Sequence, residues 1–292
     1  MVIDLILKEH QEKIENKINQ LFPEIETDYS LACDAARYSL LLGGKRIRPI
    51  ILLEFYKLCG GNDDKAENFA VALEMIHTYS LIHDDLPCMD NDDMRRGKPS
   101  CHKKFGEDIA LLAGDTLLTT AFSVAASSGA SPDRAIKAIG ILADSAGLHG
   151  MIGGQVCDIS FEKSKPAVSQ LEDMYKRKTG ALLCAAAEIG CVLAGADVST
   201  VKTAAEYAEN LGLAFQIIDD ILDCTADQLV LGKPVGSDEK NNKTTFVSIF
   251  GLERSRQMAT ELTEAASDCL DRLKGDTTVL RELTKKLLVR SY

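Results

Sequence analysis

The chain has 292 residues, enough to bury a sizeable core in one large domain or two ordinary ones. It is 46% hydrophobic and 26% charged, a globular rather than a disordered composition. Its net charge of −11, from 33 basic and 44 acidic residues, argues against nucleic acid and anionic membrane as main partners, because both demand a basic face.

The chain opens on MVIDLILKEHQEKIENKINQL, an amphipathic helix with early charges and not a signal peptide. GGKRIRP (43–49) follows as a glycine-led turn, where Lys45 and Arg48 are spaced to point the same way. Two cations on such a turn suit a diphosphate, although a solvated basic turn has the same composition. The run FAVALEMIHTYSLI (69–82) reads as a helix apolar on most faces. Its His77, a lone histidine on such a helix, is by itself more often a satisfied core residue than a ligand contact. The run ends in IHDDLPCMDNDDMRRGKP (82–99), which packs Asp84, Asp85, Asp90, Asp92 and Asp93 ahead of Arg95, Arg96 and Lys98.

IALLAGDTLLTTAFSVAA (109–126) and GALLCAAAEIGCVLAGA (180–196) are apolar enough to raise the question of a membrane, but each carries a carboxylate, Asp115 or Glu188, near its middle. A bilayer penalises that, so both are expected to be buried helices of a soluble bundle. SPDRA (131–135) marks a helix start, with Ser131 as cap and Pro132 in the first helical position. KRKTGA (176–181) supplies Lys178 and Thr179, and the late loop supplies Lys233 and Lys243. Expected loops are 59–65, 89–100, 127–133, 163–169 and 229–243, where most of the prolines fall.

FQIIDDILD (215–223) is the second acidic cluster. Asp219 and Asp223 lie one turn apart on one helix face, with Asp220 beside them, among Ile217, Ile218, Ile221 and Leu222. Repelling carboxylates on a mostly buried helix are costly unless something cationic meets them. Hard oxygen ligands suit Mg²⁺, which bridges one or two carboxylates to substrate phosphates. The spacing is not that of an EF-hand, and no second Glu-x-x-His pair joins Glu74 and His77 to make a di-iron bundle. There is no P-loop, dinucleotide glycine fingerprint or Ser-His-Asp candidate. The nine cysteines form no CxxC pair and read as reduced core thiols of a cytoplasmic protein. Period-two alternation is absent and no composition shift divides the chain. The expectation is all-α: one domain over 1–292, with about ten or more helices forming a single large bundle whose central helices are surrounded by others.

GGKRIRP, DDLPCMD (84–90) with RRGKP after it, GGQVCD (153–158), KTGAL (178–182) and FQIIDDILD fall in an order and spacing that resemble the short-chain trans-prenyl diphosphate synthases, over residues 28 to 290. The resemblance implies that Asp84, Asp90 and Asp219, supported by Asp85, Asp220 and Asp223, hold about three Mg²⁺ ions against an allylic diphosphate. It implies that Arg95, Lys178 and Lys233 contact that diphosphate, with Thr179, Gln216 and Lys243 lining the same subsite. Lys45, Arg48, His77 and Arg96 would form the isopentenyl diphosphate subsite. Asp84, Asp85, Asp90, Arg95, Lys178 and Asp219 would carry the catalysis, and the departing diphosphate would take the proton. The resemblance also implies an all-α bundle of the isoprenoid synthase type around a deep central cavity, and a homodimer. The late loop reads NNKTT (241–245), where the family more often has a glycine before the lysine.

Product length is a ruler argument. Ser80 and Tyr79 stand four and five residues before Asp84, so Tyr79 lies roughly 7–8 Å up the helix axis. An aromatic there makes a floor. With the two extra residues of the first motif, it resembles the bacterial farnesyl diphosphate synthases and favours a C15 product. A C20 geranylgeranyl product is the alternative. A non-catalytic partner of a synthase would have lost an aspartate motif. A terpene cyclase would not need Lys45 and Arg48.

Overall fold

The structure is a computed structural model that describes residues 2–162, 164–225 and 243–288. It is helical almost throughout, as the sequence predicts, and forms two compact units: Met1–Leu53 with Asn62–Ile139, and Glu54–Gly61 with Gly140–Tyr292.

In the first unit, α1 (Val2–Leu21) packs on α4 (Lys65–Asp84), as do α2 (Ser30–Leu40) and α6 (Glu107–Ala126). α1 buries Ile14 and Ile18, one turn apart. Its Lys13 and Lys17 reach Glu67 of α4 at 2.9 and 3.4 Å. α4 is buried on nearly every face from Ala66 to Ile82, which is why its sequence shows no polar stripe. α3 (Ile47–Leu58), whose residues from Glu54 on belong to the second unit, follows the glycine turn, and Pro49 sits in its first turn, where a missing N–H costs nothing. α5 (Cys101–Phe105) is a single short turn, and α7 (Pro132–Ala146), whose residues from Gly140 on belong to the second unit, starts where SPDRA predicts, with Ala135 N donating to Ser131 O at 2.9 Å.

In the second unit, α11 (Val198–Thr225) is the axis. α10 (Ala181–Ala194) packs on it and ends at Gly195, whose φ of 83° is a left-handed helix stop. α13 (Leu252–Asp271) also lies against it, and α14 (Thr278–Leu288) is tied to it by Thr284 Oγ1 and Tyr207 Oη at 2.9 Å. α8 (Met151–Phe161), α9 (Val168–Tyr175) and α12 (Phe246–Phe250) complete the unit. Leu171, Met174, Tyr175, Leu213, Ile217, Ile218, Ile221, Leu222 and Phe246 cluster around the aspartates of α11. Each large side chain buried there contributes about 1.5–3 kcal/mol.

Several local expectations are corrected. The 89–100 loop contains a strand pair, β1 (Met94–Arg95) and β2 (Lys98–Pro99), antiparallel with Arg95 opposite Lys98. Arg96 and Gly97 at its tip have φ of 52° and 74°, as a hairpin turn of right-handed twist requires. KRKTG (176–180) is a π-helical segment between α9 and α10. α6 is not wholly buried. Ala110, Ala113, Leu117 and Ala121 face inward, while Leu111 and Leu112 are exposed. α6 is long and apolar enough to cross a membrane by length and composition alone. None of the nine cysteines is in a disulfide, but Cys88 and Cys224 are exposed rather than core thiols.

Candidate functional site

The turn GGKRIRP is drawn tight by two glycines, Gly43 and Gly44, with φ of 96° and 127°. Arg96, from the hairpin tip, donates through Nη1 to Gly43 O. Its guanidinium covers Gly44 so closely that a Cβ there would lie 2.7 Å from Cζ. Glycine is needed at 44 for contact as much as for backbone freedom. Gln11 of α1 donates to Lys45 O at 3.2 Å. Arg48 Nη1 lies 3.5 Å from His77 Nε2. Arginine only donates, so Nε2 accepts and the imidazole carries its proton on Nδ1. Burial, then the charges of Arg48, Arg96, Arg46 and Arg95, push the His77 imidazole well below its usual value. A neutral histidine among cations is ready to serve an anion without adding charge of its own. Of the four residues expected at the isopentenyl end, the structure therefore brings Arg48 to His77 and Arg96 to the glycine turn.

The first aspartate motif begins where α4 stops. Asp84 is the last helical residue and Asp85 caps it. Pro87 turns the chain away, and Asp90 N then donates back to Asp84 O at 2.9 Å, so Asp84 and Asp90 return to one place. Asp85 points inward, 2% exposed. Arg95 grips it through Nε at 3.0 and 3.2 Å and through Nη2, and reaches Asp92 at 3.3 Å. Burial lifts the Asp85 carboxyl above its usual range, and Arg95 offsets this only in part. Lys103 pairs with the exposed Asp93 at 2.7 Å.

The second unit carries the second aspartate set. Gln216, Asp219 and Asp223 follow one face of α11 at helical spacing. Asp220 is turned inward, 2% exposed, and accepts from Tyr175 Oη at 3.0 Å and from Phe246 N at 3.0 Å. Thr179 donates to Gln216 Oε1 at 2.9 Å. Lys178 Nζ is 2.5 Å and Lys243 Nζ 3.9 Å from Asp158 Oδ2. Two of the expected diphosphate cations are thus gathered on one carboxylate. The π-helical segment that carries Lys178 is seated on Gly154, where a Cβ would fall 2.2 Å from Lys178 N. Gly180 in turn meets Gly212, where a Cβ would be 2.9 Å from Gly180 Cα. Lys233 lies outside the described residues.

Sequence reasoning passed over four residues that organise these groups: Arg46, Glu74, Asp158 and Tyr175. Asp158 had a signal, since it stands four residues after Gly154 in GGQVCD, one turn along the same face. The acceptors of Arg46 come from three separate helices and left no such trace.

The donor set suits Mg²⁺, for every candidate ligand is a carboxylate oxygen. Among the described residues no group of three or more acidic, histidine or cysteine side chains closes a metal cage. That fits an ion that takes one or two carboxylates and completes its shell with water and substrate phosphate. Asp84 and Asp90 would hold it in the first unit, Asp219 and Asp223 in the second.

A family model described as polyprenyl synthetase matches residues 30–283. The chain is 47% identical over 244 residues to the heterodimeric geranylgeranyl pyrophosphate synthase large subunit 1, chloroplastic, of Arabidopsis thaliana, covering 81% of this chain and 66% of that protein. Among solved structures, the FPP/GFPP synthase of Zymomonas mobilis superposes with a TM-score of 0.89 at 32% identity, over 98% of this chain and 99% of that one. The geranyltransferase of Helicobacter pylori, complexed with magnesium and isoprenyl diphosphate, superposes with a TM-score of 0.86 at 33% identity, over 97% and 95%.

Proposed function

Because the chain belongs to the polyprenyl synthetase family, we propose that it condenses isopentenyl diphosphate with dimethylallyl and geranyl diphosphates and releases farnesyl diphosphate. One observation carries this reading: a glycine turn with Arg48 against His77 and two aspartate sets, one at the end of α4 and one on α11, occur in a chain of this family. Mg²⁺, when bound, neutralises the leaving diphosphate of the allylic substrate. The protein's own residues do the rest. Lys178, Lys243 and Thr179 orient that diphosphate, with Arg95 and Lys233 assigned to the same end, and their charge favours C–O ionisation. Lys45, Arg48, His77 and Arg96 hold isopentenyl diphosphate so that its double bond attacks the allylic cation. Apolar walls keep water from that cation. Tyr79 and Ser80 of α4 set the length of the product, with Tyr79 as its floor.

The test is a product assay with Mg²⁺, isopentenyl diphosphate and dimethylallyl diphosphate, read by mass spectrometry. A dominant C15 product is expected. A C20 product keeps the reaction and removes Tyr79 as the floor; that second reading is favoured by the name of the Arabidopsis relative. No product from either dimethylallyl or geranyl diphosphate overturns the reading. A homodimer completes the proposal, supported by exposed Leu111 and Leu112 on α6, and light scattering of the purified protein checks it.

A further inference from the structure

We propose that Arg46 is a positioning residue: it takes no part in binding substrate and instead fixes, from inside the protein, the turn that presents Lys45 and Arg48 to isopentenyl diphosphate. The proposal rests on the reading of function above. Arg46 is the residue in GGKRIRP that points the wrong way for a ligand. It is 2% exposed, between an exposed Lys45 and a half-buried Arg48. Its guanidinium has three acceptors. Nη1 donates to Glu74 Oε1 of α4 at 2.7 Å. Nη2 donates to Leu40 O, at the end of α2, at 2.7 Å, and to Glu15 Oε1 of α1 at 3.4 Å. One planar cation thus ties the turn to three helices, in the fork geometry that lysine lacks.

The backbone shows what this anchor holds in place. Arg46 has a φ of 50°, a left-handed conformation that a residue with a Cβ adopts only when its surroundings impose it. Glu74 is itself buried, 2% exposed, so each charge of the pair requires the other. Glu74 also stands three residues before His77 on α4, and His77 meets Arg48. The result is a closed circuit: Arg46 to Glu74, along one turn of α4 to His77, across to Arg48, and back through Ile47. Rotating the turn breaks either the buried pair or the Arg48–His77 contact. The relative placement of Lys45, Arg48 and His77 is therefore set by a residue that a substrate never touches.

The experiment compares wild type with Arg46→Lys and Glu74→Gln, on variants whose folding is checked by circular dichroism and thermal melting. KM is measured separately for isopentenyl and geranyl diphosphates, and isothermal titration gives the Kd for isopentenyl diphosphate without turnover. Arg46→Lys should raise the KM and Kd for isopentenyl diphosphate about tenfold or more, with the KM for geranyl diphosphate and the saturated kcat within about twofold. Glu74→Gln keeps the shape and the acceptor oxygen, so a smaller rise in the same constant is expected. That gradation is a partial rescue which general destabilisation would not produce. If Arg46→Lys fails to fold, Glu74→Gln decides alone. Unchanged affinity for isopentenyl diphosphate in a folded variant overturns the proposal, and so does a parallel loss in both KM values and kcat. Wild-type turnover tests the assigned reaction separately. If wild type binds isopentenyl diphosphate but does not condense it, the titrations still judge Arg46.

Discussion

Replacing Tyr79 with alanine should lengthen the product by one C5 unit or more. Tyr79 is 5% exposed, and its ring meets that of His83 edge-on at 5.7 Å between centroids. His83 is itself fixed, with Nε2 3.0 Å from Leu111 O. It is seated on Gly114 of α6, where a Cβ would lie 2.0 Å from Nε2. The proposed floor is therefore a braced ring and not a mobile side chain. Its hydroxyl is buried without a hydrogen-bond partner among the described residues. Removing a buried aromatic ring costs about 3–5 kcal/mol, but removing an unsatisfied hydroxyl returns about 1–3 kcal/mol, so Tyr79→Ala should lose only roughly 2 kcal/mol and stay folded. The vacated space accepts another isoprene unit. At about 0.8 kcal/mol per buried carbon, five carbons favour the longer chain by up to about 4 kcal/mol, roughly a thousandfold in partition. The assay is mass spectrometry of products from isopentenyl and dimethylallyl diphosphates. Tyr79→Phe is the control: it should keep the wild-type product and melt no lower than wild type, because only the orphaned hydroxyl is lost. An unchanged C15 product from folded Tyr79→Ala would refute the floor, as would a wild-type enzyme that already releases C20.

Gly154→Ala should destabilise the protein by about 1–3 kcal/mol, since its Cβ would meet backbone atoms of Lys178 at 2.2 and 2.6 Å; urea unfolding measures it, and geranyl diphosphate should bind more weakly because Lys178 is displaced. His77 is held neutral in the fold, so below the ordinary imidazole value of 6.5 the unfolded chain takes up a proton that the native one refuses, and stability is lost as pH falls. The slope is at most about 1.4 kcal/mol per pH unit; unfolding curves above and below that value should show it in wild type and not in His77→Gln. Chelation with EDTA should abolish turnover and Mg²⁺ restore it, while Mg²⁺ alone should hardly move the melting temperature, because no metal cage is closed among the described residues; Mg²⁺ with inorganic diphosphate should raise it. A large rise with Mg²⁺ alone would contradict that geometry.

The features that could be read in advance were those written in periodicity and local chemistry. The run from Phe69 to Ile82 is apolar on most faces because α4 is surrounded. Ser131 and Pro132 mark a helix start by their own hydrogen-bonding limits. The features that escaped depend on contacts far apart in sequence. The hairpin at Met94–Pro99 has charged residues where strand pairs favour β-branched ones, and its turn shows only in the positive φ of Arg96 and Gly97. The π-helical segment at Lys176 has an ordinary helical composition; what displaces it is the approach of Gly154 to Lys178 and of Gly212 to Gly180. Arg46 looked like one more cation of a basic turn, because burial by Glu15, Leu40 and Glu74 cannot be inferred from a heptapeptide.

The paired aspartates carry the same lesson into the chemistry. Adjacent helical residues point about 100° apart, so two neighbouring carboxylates on one helix cannot both face one ligand squarely. The sequence says that DD must divide; it does not say which member turns inward. In both motifs the second one does: Asp85 and Asp220 are each 2% exposed. Neither is idle. Asp85 fastens Arg95, and with it the hairpin that brings Arg96 over Gly44. Asp220 fastens Tyr175, just ahead of the segment bearing Lys178, and Phe246 N, three residues after Lys243. Each inner carboxylate thus ties a cation-bearing segment to the helix whose outer carboxylate is proposed for the metal. Anchor and ligand differ by one residue, so the spacing between metal and cations is fixed by the helix itself. On this reasoning Asp220→Asn, which keeps an acceptor for Phe246 N, should weaken the diphosphate cations less than Asp220→Ala, whereas Asp219→Asn and Asp219→Ala should be equally damaging to metal-dependent turnover. Equal losses from the two Asp220 variants would sink the division of labour.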